Sequence, residues 1–511
     1  MKKIFCLVTF FILGCGFSPL LSASRIKYDE KKIYRLLEVG DFSGFQNEIA
    51  RLEDASVRKF FEGVAAVYQG DYRSAREILN TIRFIDENKS ENFYAVYSGY
   101  MASIAAGFKE KNSEHFILRY FPSDEVMADY ALLSLEKIRL GASLLFGWSP
   151  DGKVLVEIYP DKKSFAVAST LGEEILEKSG TVGICKFNRI MILSPRNLAL
   201  GYRWVETLAH EYTHFVINRI TRYNCPLWVH EGIARWSDTV LIKVSSHDEA
   251  GENIQVPSSL YLSDFSLNLL SQALSRRGLI PFEKMQNSLV YLPTPDDISL
   301  AFLEVADFVD FLVSGYGAGK LRGWLNEMRF SDEKKSFGRV FGVSLESVKN
   351  RWFRQISSKY RRPQEKDDDK ECPTSGVPDL PLYGVKSDED LMTDEMTRYT
   401  RLGDELRRRG NFEAAYEQYL KAWDAGKTRR SPVVAVKMSR ALIAMGRHNE
   451  AKSLMESVIA GNRSYITPYV VLYEVAQVEK NETEAGRYLK EIFEINPFYP
   501  GVYEAIFTLD R

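Results

Sequence analysis

Histidine and cysteine are both scarce in this chain of 511 residues, with six of the first and five of the second. Cysteines at positions 6, 15, 185, 225 and 372 alone exclude a disulfide framework and a thiolate metal cluster. An excess of either charge is also lacking: 67 Lys and Arg face 69 Asp and Glu, a formal net charge of −2. Without a general basic field, nucleic acid is not an expected partner. Past the first 24 residues no stretch reaches the roughly 18 uncharged apolar residues of a membrane span, which excludes a polytopic membrane protein. What is present is ordinary globular composition, 45% hydrophobic and 27% charged. The length suits roughly two to four domains.

Residues 1–24 read as an export signal. Lys2 and Lys3 give a positive start, residues 4–13 form an apolar core too short to span a bilayer, and Ser22-Ala23-Ser24 suits cleavage. Ile12-Leu13-Gly14-Cys15 also resembles a loose bacterial lipobox that would place a lipid on Cys15, although Leu13 and the apolar run 17–21 fit simple cleavage better. The expected location is therefore exported: bacterial periplasm, cell envelope or medium, with a lipid on Cys15 as the sole membrane attachment. Losing the signal lowers the formal net charge to −4 and leaves Cys185, Cys225 and Cys372. A Cys185–Cys225 bond and two unpaired small hydrophobes both fit that set.

The rest divides by texture. Residues 25–110 are helical in pattern. Within them Phe60, Phe61, Gly63, Ala66 and Tyr68, followed by Gly70-Asp71-Tyr72, Ala75 and Leu79, resemble one tetratricopeptide unit, and a plain helical hairpin fits equally. Residues 394–511 repeat the theme. Gly410-Asn411-Phe412-Glu413-Ala414-Ala415 recurs as Gly446-Arg447-His448-Asn449-Glu450-Ala451, and a third copy ends in Glu484-Ala485. The alanines are 36 and 34 residues apart, close to the tetratricopeptide period, so this region is expected to stack helix pairs and dock a protein partner. Residues 111–360 mix short Val, Ile and aromatic runs (115–121, 153–159, 181–186, 189–193) with helical patterns at 124–146 and 202–220, an α+β texture. Residues 361–393 are an acidic, proline-containing linker, whose run Asp367-Asp368-Asp369 lacks the spacing and turn glycine of a calcium loop.

Chemistry concentrates at His210-Glu211-Tyr212-Thr213-His214. Two imidazoles at i and i+4 leave one face of a helix a single turn apart, so both can reach one ion, with Glu211 beside it. A catalytic zinc needs three protein ligands plus water. A third histidine six residues after His214 is excluded, because Ile220 stands there. Glu231 is the better candidate: it lies 17 residues past His214 in a second helix opened by Pro226. His230 precedes it, but projects about 100° away around the helix, which suits a surface or supporting place. His115, His247 and His448 read as structural or solvated.

At these residues the chain resembles the gluzincin metallopeptidases, and within them the peptidase MA-like family. The two-histidine helix is followed by Pro226-Leu227-Trp228-Val229-His230-Glu231-Gly232-Ile233-Ala234, the Pro-x-Trp-x-x-Glu-Gly-x-Ala pattern of that family, and the likeness runs from about His115 to Trp352. The resemblance implies a zincin-like domain flanked by all-α, tetratricopeptide-like regions. It also implies Zn2+ held by His210, His214 and Glu231, with Glu211 as general base in hydrolysis of a peptide or protein substrate. An edge strand, either 181–186 or 189–193, would hold that substrate by backbone pairing. Two positions depart from the pattern. Phe302 stands where similar sequences often carry an oxyanion-stabilising tyrosine, so Tyr291 or Tyr316 must substitute or catalysis is weaker. Arg235 stands where some gluzincins place an aspartate that orients a ligand histidine, and Asp238 is the candidate replacement. The rival expectation is a catalytically degenerate envelope scaffold acting through its repeats.

Overall fold

In the computed structural model, which describes residues 28–82, 90–245, 264–285, 289, 292–360, 392–426 and 431–509, the chain starts with two helical hairpins. Helices α1 (Glu30–Glu38) and α2 (Phe42–Ile49) form the first, and α3 (Ala55–Tyr68) and α4 (Tyr72–Leu79) the second. Both turn on a glycine of positive φ followed by an aspartate: Gly40 (68°) with Asp41, and Gly70 (72°) with Asp71. Glycine enters this left-handed region without steric cost, and each aspartate then caps the next helix by accepting from a backbone N–H of its first turn, Gly44 or Ser74. In sequence only the second hairpin resembles a repeat unit. Its signal stands 30 residues earlier as well, in Gly40-Asp41.

After α5 (Ser90–Ala105) come β1 (Lys109–Asn112), β2 (Phe116–Tyr120), α6 (Glu125–Phe146), β3 (Val154–Tyr159), α7 (Lys162–Ser169), α8 (Glu173–Ser179), β4 (Gly183–Lys186) and β5 (Arg189–Leu193). The strands form one mixed sheet in the order β1-β2-β3-β5-β4. β2, β3 and β5 are parallel, and β1 and β4 pair antiparallel at the two edges. Four strands lie where Val, Ile and aromatic residues predict them. The fifth, β1, is Lys-Glu-Lys-Asn and has no strand propensity of its own; it exists through its ladder to β2.

The helices α9 (Trp204–Thr221), α10 (Leu227–Ser245), α11 (Asp264–Gln272), α12 (Pro295–Tyr316), α13 (Ala318–Met328), α14 (Glu333–Phe341) and α15 (Leu345–Tyr360) complete the central region. Helices α6 and α9 lie on one face of the sheet, and α7 together with α3–α4 lies on the other. On that second face Glu157 of β3 and Arg189 of β5 are both fully buried and pair at 3.3 Å. Tyr72 of α4 donates to Glu157 at 2.8 Å, and Arg189 donates to Val67 O at 2.7 Å and to Tyr97 Oη at 3.0 Å. Two charges out of water are costly, and these added hydrogen bonds are what offset the cost while fixing α3–α4 on the sheet. The result is a helix-rich α+β fold.

The C-terminal region contains three helix pairs, α16 (Asp394–Arg408) with α17 (Phe412–Ala425), α18 (Pro432–Ala444) with α19 (His448–Gly461), and α20 (Ile466–Val478) with α21 (Glu482–Ile495), then α22 (Val502–Leu509). Gly410 (77°) and Gly446 (75°) make the first two turns, and Lys480 (59°) takes the same left-handed place in the third. The third pair is not a free arm. Trp204 Nε1 at the start of α9 donates to Phe493 O at 2.9 Å, and Tyr202 N donates to Ile495 O at 3.1 Å. Arg203 donates to Arg463 O and Tyr469 Oη and pairs with Glu491 at 2.8 Å.

Among the described residues no helix is long and apolar enough to cross a membrane. The signal at 1–24, linker residues 361–391 with Cys372 and the Asp367 run, His247 and Tyr291 lie outside the described residues. Cys185 and Cys225 are both free thiols, which decides between the two readings of that pair.

The buried ion pair makes a prediction. Arg189→Met should leave Glu157 with only the more distant Arg119 guanidinium, at 3.6 Å, and destabilise the sheet region by up to about 3–5 kcal/mol, read as a fall in the urea unfolding midpoint. A change below about 1 kcal/mol would show that the pair does not hold α3–α4 in place.

Candidate metal centre

The centre is built on the hairpin of α9 and α10. Helix α9 turns Leu208, Ala209, Tyr212, Phe215 and Val216 into the core, and that leaves His210 and His214 on a neighbouring stripe. It ends on two consecutive left-handed residues, Arg222 (φ 51°) and Tyr223 (60°), and Pro226 stands immediately before α10, where its missing N–H costs nothing. The helices return antiparallel, because successive contacts run in opposite directions along them: Asn218 with His230, His214 with Glu231, Thr213 with Ser237, His210 with Asp238. Thr213 and Ser237 are fully buried, and their hydroxyls lie 2.7 Å apart, joining the two helices at the centre. Beside Glu231, a β-carbon on Gly232 would sit 2.7 Å from Val305 O, so glycine is what lets α12 lie against this turn.

Three donor atoms converge there. His210 Nε2 and His214 Nε2 are 3.0 Å apart, and Glu231 Oε2 lies 3.5 Å from the first and 3.4 Å from the second. A tetrahedral zinc with bonds of about 2.0–2.1 Å needs its donors roughly 3.3 Å apart, so this spacing fits, and two imidazoles with one carboxylate leave a fourth position open. Among the described residues it is the one group of three such side chains close enough to share an ion. The protonation pattern also fits. His210 Nδ1 lies 3.0 Å from Asp238 Oδ1, an acceptor, so Nδ1 carries a proton, and once the ring is neutral its lone pair is on Nε2, directed at the other donors. Asp238, the replacement expected from the sequence, is thus in place, and Arg235 donates to its second oxygen at 2.8 Å.

The charges are tightly coupled. Burial alone would raise the Glu231 carboxyl, but His214 and His210 outweigh it and hold the group well below the ordinary carboxylate range. Burial opposes protonation of His210, yet Asp238 and Glu231 carry its imidazole well above the usual value. Glu211 goes the other way: burial raises its carboxyl, and the two histidines only partly offset that rise. It stands outside the converging donors, 6% exposed, and faces β4. A β-carbon on Gly183 would lie 2.8 Å from Glu211 Oε1 and 2.6 Å from Thr207 Cγ2, so glycine at this point lets β4 pass over Glu211 without displacing either side chain.

β4 is the outermost strand, and among the described residues it pairs with β5 alone. A two-residue turn, Phe187 (φ 50°) and Asn188 (61°), joins the two. Leu193 N donates to Val182 O at 2.8 Å. In an antiparallel ladder the bonded pairs alternate, so Val182, Ile184 and Lys186 face β5, while the N–H and C=O groups of Gly183 and Cys185 point outward from the sheet. Of the two candidate substrate strands, 189–193 is therefore interior and 183–186 is the edge. The Cys185 thiol is pushed well up by burial, with Glu211 adding to the rise, which makes it a poor nucleophile.

Other expected residues lie elsewhere. Tyr316 rests on the Phe341 ring at 5.1 Å and accepts from Arg351, and Phe302 packs half-buried on the core. His115 pairs with Glu136 at 2.8 Å, and His448 lies 3.9 Å from Glu479. His230, half-buried, takes the supporting place: its ring lies beside His214, centroids 4.5 Å apart and planes within 11°. Helical periodicity correctly turns it away from Glu231, but it cannot show that the α9–α10 crossing brings it against the second histidine. No model of a known protein family matches the chain, and no curated protein matches it.

Because His210 keeps its proton to higher pH than a free imidazole, a cation must displace that proton, and zinc affinity should rise with pH through the neutral range. The protonated ring's own contribution to stability has the opposite sign, present at low pH and lost as pH rises through the folded-state value. Calorimetry in two buffers of different ionisation heat should register about one proton released per zinc bound near neutral pH. Binding heats independent of buffer would contradict this protonation pattern.

Proposed function

We propose that the chain is an exported zinc metallopeptidase of gluzincin type, similar to the peptidase MA-like family, with His210, His214 and Glu231 holding zinc and Glu211 as general base. The observation that carries this reading is the convergence of three donors at 3.0–3.5 Å beside a buried carboxylate, under a strand that among the described residues is paired on one side only. When bound, zinc lowers the pKa of water from 15.7 towards about 7 and polarises a carbonyl oxygen.

The chain's own residues supply the rest. The outward backbone groups of Gly183 and Cys185 hold an extended peptide alongside Glu211 by strand addition. Glu211 takes a proton from the attacking water and delivers it to the leaving amine nitrogen. A carboxyl raised by burial suits both halves of that transfer near neutral pH. Asp238 keeps His210 in its metal-facing tautomer, and Gly183 keeps the peptide close to the base. The helix pairs that precede α20–α21 are the proposed surface for a protein partner or substrate, since the third pair is committed to α9. Zinc is the proposed cofactor, and the segment 1–24 the proposed export signal.

A second reading has an observation of its own. Phe302 carries no hydroxyl, so the residue at the pattern's position cannot supply the oxyanion donor expected of an active enzyme. On that reading the chain is a catalytically degenerate scaffold. Glu211→Gln decides between them: it should keep zinc and lower peptide-library cleavage by at least about 100-fold. Gly183→Val should also keep zinc and lose cleavage, by pushing substrate and Glu211 apart. Zinc-loaded parent protein that cleaves nothing in the library favours the scaffold.

A further inference from the structure

His230 and its neighbour Asn218 form a second line of groups behind the metal ligands. Asn218 lies four residues past His214, so His210, His214 and Asn218 share one stripe of α9 at successive i+4 positions. Asn218 Oδ1 is 2.9 Å from His230 Nε2. An amide oxygen can only accept, so Nε2 of His230 carries the proton. A neutral imidazole has one N–H, which leaves a lone pair on His230 Nδ1. That atom faces His214 Nδ1 at hydrogen-bonding distance, across rings within 11° of parallel. Two ring nitrogens in contact share one proton, so His214 Nδ1 donates. The lone pair of His214 is thereby assigned to Nε2, the atom that lies 3.0 Å from His210 Nε2 and 3.4 Å from Glu231 Oε2.

We infer that His230 and Asn218 are positioning residues that fix the metal-facing tautomer of His214 and thereby set the affinity of the centre for zinc. This rests on the zinc reading above. The device mirrors the one behind His210 but differs in charge. His210 has a carboxylate, Asp238, as its acceptor, whereas His214 has a neutral imidazole whose own orientation depends on Asn218. A site with two imidazoles, Glu231, Glu211 and Asp238 already holds three carboxylates around one divalent ion. A neutral acceptor behind His214 fixes its geometry without adding a fourth negative charge.

The test uses the full chain and Zn2+ in competition with a chromophoric chelator. His230→Phe keeps a ring of similar size against His214 but removes the acceptor, and zinc binding should weaken about 10–100-fold. His230→Asn offers an amide oxygen in its place and should recover most of that loss. Asn218→Leu, which frees His230 to take the other tautomer, should weaken binding in the same direction and serves if His230→Phe does not fold. In the zinc-bound parent, 15N-edited NMR should show a slowly exchanging His214 Nδ1–H that is absent in His230→Phe. Parent protein that binds one zinc while His230→Phe and Asn218→Leu both bind it within about two-fold overturns the relay alone. Folded parent that binds no zinc overturns the metal reading and the relay with it.

Discussion

Everything proposed for this protein depends on how closely α9 and α10 cross. A carboxylate on one helix must meet two imidazoles on the other at 3.4–3.5 Å, and a slip of a single residue along either axis moves a side chain by about 1.5 Å and turns it about 100°. The crossing is held by groups that do not touch the ion position: the buried Thr213–Ser237 hydroxyl pair, Asp238 on His210, and Gly232 under the backbone of α12. Each is polar and satisfied or is the smallest residue available. Val229, Ile233 and Trp236 bury α10 in the surrounding core, but apolar packing does not fix register as hydrogen bonds do.

The flanking helical regions brace the same helix from both ends. At its start, Trp204, Arg203 and Tyr202 bond to α20–α21 and the segments beside them. At its finish, Arg35 of α1 donates to Arg222 O, and Arg219 lies against Gly40 and donates to Asn188 at the tip of the β4–β5 turn. The N-terminal hairpins also grip the sheet through Glu157 and Arg189. Regions that look in sequence like separate modules around a central domain are therefore parts of the frame that positions α9.

Much of the centre is legible in the residues themselves. The i and i+4 histidines, the glutamate one helix later, and Asp238 at helical spacing beyond it require only the period of an α-helix. The α+β texture likewise follows from where Val, Ile and aromatic runs alternate with helical ones. What is not legible depends on contacts between elements distant in sequence. β1 is a charged tetrapeptide that becomes a strand only because β2 offers an edge. Which of two apolar strands is the outer one is a matter of topology, not composition. Gly183 gains its meaning from Glu211, 28 residues away, and His230 gains its meaning from His214 across the crossing. No local pattern connects Trp204 to Phe493.

The central claim is that His210, His214 and Glu231 hold one zinc ion. Zinc-edge X-ray absorption on the purified full chain tests it most directly, because the first shell reports ligand type and distance together. The account predicts stoichiometric zinc with a shell of nitrogen and oxygen at about 2.0–2.1 Å, two imidazole signatures and no sulfur, lost in His210→Ala. Substoichiometric metal, a sulfur shell at about 2.3 Å, or a spectrum unchanged by His210→Ala would contradict it.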